Sequence, residues 1–147
     1  MALRERIQED MKAAMRSGDK ERLATIRLIL SAIKQREVDE RITLDDAQVL
    51  SVLEKMGKQR RESITQFEAG HRSDLVAKES AELALIGAYM PTPLSEAELD
   101  SLIAQAIAEA GASSVKDMGR VMGVIKARAQ GRADLAAVGA RIKARLS

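Results

Sequence analysis

Two glycines four residues apart lie in a basic stretch near the C-terminus: Asp117-Met118-Gly119-Arg120-Val121-Met122-Gly123, followed by Gln130-Gly131-Arg132-Ala133-Asp134. Such residues offer recognition of phosphate rather than bond making. Lys and Arg contact phosphate oxygens, and glycine lets a sugar-phosphate backbone come close to a helix. Charge agrees with this. From Lys116 to Ser147 there are eight Lys/Arg and two Asp, whereas residues 1–115 hold sixteen Lys/Arg and twenty Asp/Glu. A formal +6 set against −4 points to a polyanionic partner. The nucleic-acid-binding candidates are Lys116, Gly119, Arg120, Gly123, Lys126, Arg128 and Arg132.

On a wheel of about 100° per residue, Val115, Met118, Val121, Met122, Ile125 and Ala129 form the core side of this helix. Gly119, Gly123 and Ala127 fall roughly opposite, flanked by Lys116, Arg120 and Lys126. A glycine inside a helix costs about 1 kcal/mol relative to Ala, so two of them need a reason. One reason is a smooth basic groove for a nucleic-acid backbone. The other is close packing of a second helix on the small residues. Arg128 is also accounted for by the helix C-terminal dipole, and Arg132, beyond Gly131, is the better ligand. Arg141, Lys143 and Arg145 read as a solvated face, as does the run Lys55-Met56-Gly57-Lys58-Gln59-Arg60-Arg61-Glu62.

Catalysis by this chain alone finds no support. There is no Cys, which excludes a thiol nucleophile, a thiolate zinc site and a disulfide framework. His71 is the only histidine and sits in a Gly-His-Arg-Ser-Asp turn. No metal-ligand cluster, Ser-His-Asp set or phosphate-binding glycine loop can be assembled. No catalytic residue, metal or cofactor is expected. Phe67 and Tyr89 are the only aromatics. Two rings cannot form a stacking platform for single strands, so a folded RNA read by shape, phosphates and 2′-hydroxyls fits better.

The elements that must position these residues are helices. Ala, Leu, Lys, Arg, Glu and Met dominate, and a β-rich fold would need more aromatic and β-branched residues. The fold class is all-α. A first helix spans roughly Ala2 to Met15, with Leu3, Ile7, Met11 and Met15 inward. Gly18 ends it and Asp19 caps a second helix to about Glu37, striped by Leu23, Ile26, Leu30 and Ile33. Thr43 is the expected N-cap of the third helix, with Asp46 at the capping-box position. Its stripe of Val49, Leu53, Met56, Ile64 and Phe67 is interrupted at Arg60. A fourth helix runs from Ser73-Asp74 to Tyr89-Met90. Pro91-Thr92-Pro93 is the best boundary, dividing a larger helical domain, 1–90, from a three-helix domain, 91–147. Ser95, Ser114 and Asp134 cap the last three helices, and Gly111 and Gly131 stop two of them. The N-terminus has no secretory h-region and no apolar run approaches about 18 residues, so no membrane association is expected. The expectation is a soluble, cytoplasmic protein.

Several segments in combination resemble the GatB/YqeY family nearly end to end. They are Asp10-Met11-Lys12-Ala13-Ala14-Met15, Asp19-Lys20-Glu21-Arg22-Leu23, Lys58-Gln59-Arg60-Arg61-Glu62-Ser63-Ile64, Tyr89-Met90-Pro91, Leu94-Ser95-Glu96, and the glycine motifs quoted above. The whole-chain similarity is to the free-standing YqeY type. The C-terminal half looks like the tail of the GatB component of the glutamine-dependent tRNA amidotransferase. That resemblance implies a two-part helical fold and tRNA binding through the Gly119/Gly123 helix and the Gly131-Arg132 turn. It carries over no nucleophile, because the catalytic cradle of that component lies outside the tail. Ala-Gln-Gly-Arg stands before Ala133 where the relative often has Lys-Gly-Arg or Lys-Gly-Lys, which lowers the charge there.

Three readings follow. The first is a tRNA-binding accessory protein. The second is a helical adaptor that docks a protein partner, one acting in translation. The third is a component of a carbon–nitrogen ligase, with glutamine as amido donor, active only in a complex.

Overall fold

The computed structural model describes residues 2–147, and these form seven α-helices, one 3-10 turn and no strand. The chain divides into two compact units, the first ending at Met90 and the second running Pro91–Ser147.

The first unit holds α1 (Leu3–Ser17), α2 (Lys20–Glu40), α3 (Asp46–Ala69) and α4 (Ser73–Ala88). Gly18 takes the left-handed conformation at φ 71° and stops α1, and the Asp19 carboxylate then accepts from the Arg22 N–H to start α2. The start of α3 differs from expectation. Asp45, not Thr43, is the N-cap: its carboxylate accepts from Gln48 N–H at 2.8 Å while the Gln48 side chain accepts from Asp45 N–H at 2.9 Å. Leu44 is buried just before this box, so the chain turns into the core there and the helix begins later. Asp46 accepts instead from Leu3 N–H at 2.9 Å, which caps α1 from another helix.

Ile7, Ile26, Ile29, Ile33, Leu53 and Ile86 are the largest side chains sealed in this core. Truncating one to Ala would cost about 2–5 kcal/mol. Both expected stripes reach the core, with Ile7, Ile26 and Ile33 sealed and Leu3, Met11, Leu23 and Leu30 packed against them; Met15 alone turns out, at 53% exposure, and Ala14 and Ile29 join. Buried Glu37 is compensated, accepting from Leu44 N–H at 2.9 Å and pairing with Arg4 at 2.9 Å.

Helices α3 and α4 pack as a hairpin. Arg60 does not merely interrupt the α3 stripe. It lies between the helices, 16% exposed, with Nε 3.0 Å from Glu82 and 3.6 Å from Glu79 of α4.

The second unit holds α5 (Glu96–Ala110), a 3-10 turn (Val115–Asp117), α6 (Met118–Ala129) and α7 (Leu135–Leu146). Ser95 and Glu98 form a reciprocal capping box on α5, Gly111 ends it at φ 61°, and Asp134 accepts from Ala136 N–H to open α7. Leu99, Ile103, Ala106, Val121, Ile125, Ala129, Val138 and Ile142 make a separate core.

Candidate nucleic-acid interface

The core fixes the orientation of α6. Val121, Ile125 and Ala129 are sealed, with Met118, Met122 and Val124 packed beside them. Val115, expected on this side, is 39% exposed, because it belongs to the 3-10 turn and not to the helix. The opposite face carries Gly119, Gly123 and Ala127, all exposed. A Cβ built on Gly119 or Gly123 meets nothing within 4 Å. Packing of another helix of this chain on the two glycines, the bland explanation, is therefore not what they serve within this unit.

The basic side chains divide into two groups. Lys116 and Lys126 are exposed and carry no ion pair among the described residues. Arg120 is 63% exposed and its guanidinium bonds the Asp117 carboxylate. Asp117 also accepts from Ser113 N–H at 3.0 Å and Ser114 N–H at 3.3 Å. The Ser113 bond first, then Arg120, holds its carboxyl below the ordinary value. Gly119, Arg120, Gly123 and Lys126 are thus exposed along α6, and Lys116 is exposed in the 3-10 turn before it.

Arg128 and Arg132 are placed differently. Arg128 reaches α5 and grips both carboxylate oxygens of Glu109, at 2.9 and 3.1 Å. Arg132 lies past the helix end, where Gly131 turns the chain at φ 74°. Its Nε donates to the Thr92 carbonyl at 2.8 Å, and its own carbonyl accepts from Leu94 N–H at 2.9 Å.

Acidic residues of α5 offset much of the basic C-terminal stretch. Arg141 pairs with Glu96 at 2.8 Å and Asp100 at 3.0 Å, and Arg145 lies 3.7 Å from Asp100. A count begun at Lys116 omits these partners; over residues 91–147 the formal charge is +2. The signal was available, since residues 91–115 hold four Asp/Glu and no Lys/Arg.

His71 stands exposed in the α3–α4 turn at φ 56°. Among the described residues no group of three or more His, Cys, Asp or Glu could hold a metal ion, and no helix is long and apolar enough to cross a membrane.

Comparison with known proteins gives a consistent family. The model of the YqeY family, described as Yqey-like protein, matches residues 4–146. Relatives include "Altered inheritance of mitochondria protein 41, mitochondrial" of Pyrenophora tritici-repentis, 38% identical over 130 residues that cover 84% of this chain and 71% of the relative. The protein of the same name from Eremothecium gossypii is 42% identical over 94 residues, 63% of this chain and 51% of that one. Its Saccharomyces cerevisiae counterpart is 38% identical over 92 residues, 62% and 50% of the two chains. The match thus spans from half to about seven-tenths of these relatives' length. Each of them is mitochondrial by name, which overturns the expectation of a cytoplasmic protein. The physical basis of that expectation was weak: a helical chain without long apolar segments suits any aqueous compartment equally. With a match that runs from residue 4 to residue 146, the chain belongs to the family of Yqey-like proteins.

Proposed function

We propose that this protein is an accessory RNA-binding protein that holds structured RNA, tRNA in the first instance, on the exposed side of α6. One observation carries the reading. Gly119 and Gly123 leave open space where side chains would stand, and Arg120 and Lys126 border that space. Gly123 costs about 1 kcal/mol in the helix interior, Gly119 stands in the first turn, and nothing within their own unit uses the room they leave. An approaching sugar-phosphate backbone would use it, with Lys116, Arg120 and Lys126 on phosphates and Arg128 and Arg132 as secondary contacts beyond. The similarity of these motifs to the tail of the amidotransferase component supports the same reading, without assigning amide-transfer chemistry to this chain.

The adaptor reading draws on the pairing of Arg120 with Asp117 and of Arg128 with Glu109. Those pairs lower the local charge and suit a helix of a partner protein laid on the same strip. Salt-titrated binding of unfractionated tRNA separates the two. If three or four phosphates are neutralised, log affinity falls against log salt with a slope of about −3 to −4. Arg120→Ala makes that slope shallower by about one. Negligible affinity at every salt concentration would leave the adaptor.

A further inference from the structure

A second surface, in the first unit, has the features of a docking groove. Two adjoining hollows of about 500 and 470 Å3, the first between α1 and α2 and the second along the outer side of α2, share Met11, Leu30 and Lys34 as walls. Their floor is apolar: Met11 and Leu30 are half-buried, and Ile33 closes the bottom. Val38 extends it outward at 59% exposure. Met11 and Leu30 pack at the edge of the core and leave part of their surface open.

The rim has one sign. Arg27 and Lys34 line it with no ion pair among the described residues, joined by Arg4 and Lys12, and no Asp or Glu lines either hollow. Arg4 turns one bond to buried Glu37, and Lys12 lies 3.4 Å from Glu9, so Arg27 and Lys34 hold the uncompensated charge. From Arg27 to Val38 the groove follows α2 for about 16 Å, at about 1.5 Å per residue, which is room for three helical turns.

We infer that the α1–α2 groove receives an acidic amphipathic helix of a partner protein. Its apolar stripe would cover Met11, Leu30 and Val38, and its flanking Asp or Glu would meet Arg27 and Lys34. This is the helix-in-groove mode, read as apolar anchors at i, i+3 or i+4, and i+7. Charge chooses among occupants. A two-fold interface with a second copy would set Arg27 and Lys34 against their own like. RNA would satisfy the rim but leave the apolar floor without a partner.

The test uses the full chain. A displayed library of helical peptides, about 15 residues long, is selected on the wild-type protein. The enriched sequences should combine the three-anchor apolar spacing with an excess of Asp and Glu. In fluorescence anisotropy, the best enriched peptide should bind Val38→Asp and the double variant Arg27→Glu/Lys34→Glu at least about tenfold more weakly. A Lys143→Glu control in the second unit should stay within about twofold. Val38, Arg27 and Lys34 are all exposed, so the variants keep their fold, which thermal melts verify. No enrichment, enriched peptides lacking either feature, or binding indifferent to both groove variants would overturn the inference. So would concentration-dependent dimerisation that Val38→Asp abolishes, since it would seat a second copy there.

Discussion

Arg132 donates through Nε to the carbonyl oxygen of Thr92 at 2.8 Å, 40 positions earlier in the chain. The Arg132 carbonyl accepts in turn from Leu94 N–H. These two bonds lay the segment before α5 along the end of α6. An arginine that reads from sequence as a ligand is therefore also a structural clamp. Arg132→Ala should lower stability by about 1 kcal/mol, the usual net worth of such a bond when the abandoned carbonyl can reach water. Urea unfolding measures this. Hydrogen exchange at Leu94 should speed up in the same variant, while exchange in α2 stays unchanged.

Tyr89 makes a comparable link in the first unit. Its hydroxyl donates to Asp10 Oδ2 at 2.6 Å, and the Arg6 guanidinium lies 5.1 Å from the ring centroid. Burial, and then the bond to Asp10, push the phenol above its usual value of 10.0. The sign follows from linkage. The folded state holds this proton longer than the unfolded chain does, so the associated stability is complete below about pH 10 and is lost as pH rises further. Tyr89→Phe should be less stable than wild type at neutral pH, by about 1 kcal/mol. It should also flatten the alkaline decline in melting temperature.

Arg60 should matter more for folding than a surface cation does. It sits between two helices with Glu79 and Glu82, whose side chains are 20% and 12% exposed. Arg60→Met leaves two poorly hydrated carboxylates close together and should cost about 2–3 kcal/mol. Adding Glu79→Gln and Glu82→Gln to that variant should restore most of the loss in chemical denaturation.

The glycines of α6 offer a stability test independent of any ligand. Space is open at both positions; Gly123 lies in the interior of α6 and Gly119 in its first turn. Gly119→Ala and Gly123→Ala should each raise stability by about 0.5–1 kcal/mol. A loss of stability in either variant would mean that the glycine serves the fold.

Much of the fold was legible because caps are local chemistry. Gly18, Asp19, Ser95, Gly111, Gly131 and Asp134 all act at the helix ends where their side chains or glycine freedom suggest. Where two capping residues lie close together, tertiary burial decides. Leu44 entering the core selected Asp45 over Thr43. The face assignments in α1 and α2 hold for Ile7, Ile26 and Ile33, with Leu23 and Leu30 packed at the core edge; Met15 alone turns outward, and Ala14 takes its place inside. Long-range ion pairs leave no mark in helical periodicity, only in the acidic composition of residues 91–115. Glu109, Glu96 and Asp100 precede the arginines they engage by 19 to 45 positions. The α6 wheel could be read because burial of Val121, Ile125 and Ala129 follows helical periodicity alone.

The central claim is that the open glycine strip of α6 receives an RNA backbone, and Gly123→Leu tests it most directly. The substituted position points into open space, so the variant keeps its helicity and melting behaviour. Affinity for tRNA is measured across a salt series beginning at about 50 mM. Wild type should bind with a salt slope of about −3 to −4. Gly123→Leu should bind at least about tenfold more weakly, a loss of about 1.4 kcal/mol, with its slope nearly unchanged. Wild-type protein that fails to bind tRNA at the lowest salt, or a Gly123→Leu variant that binds as well as wild type, would contradict it.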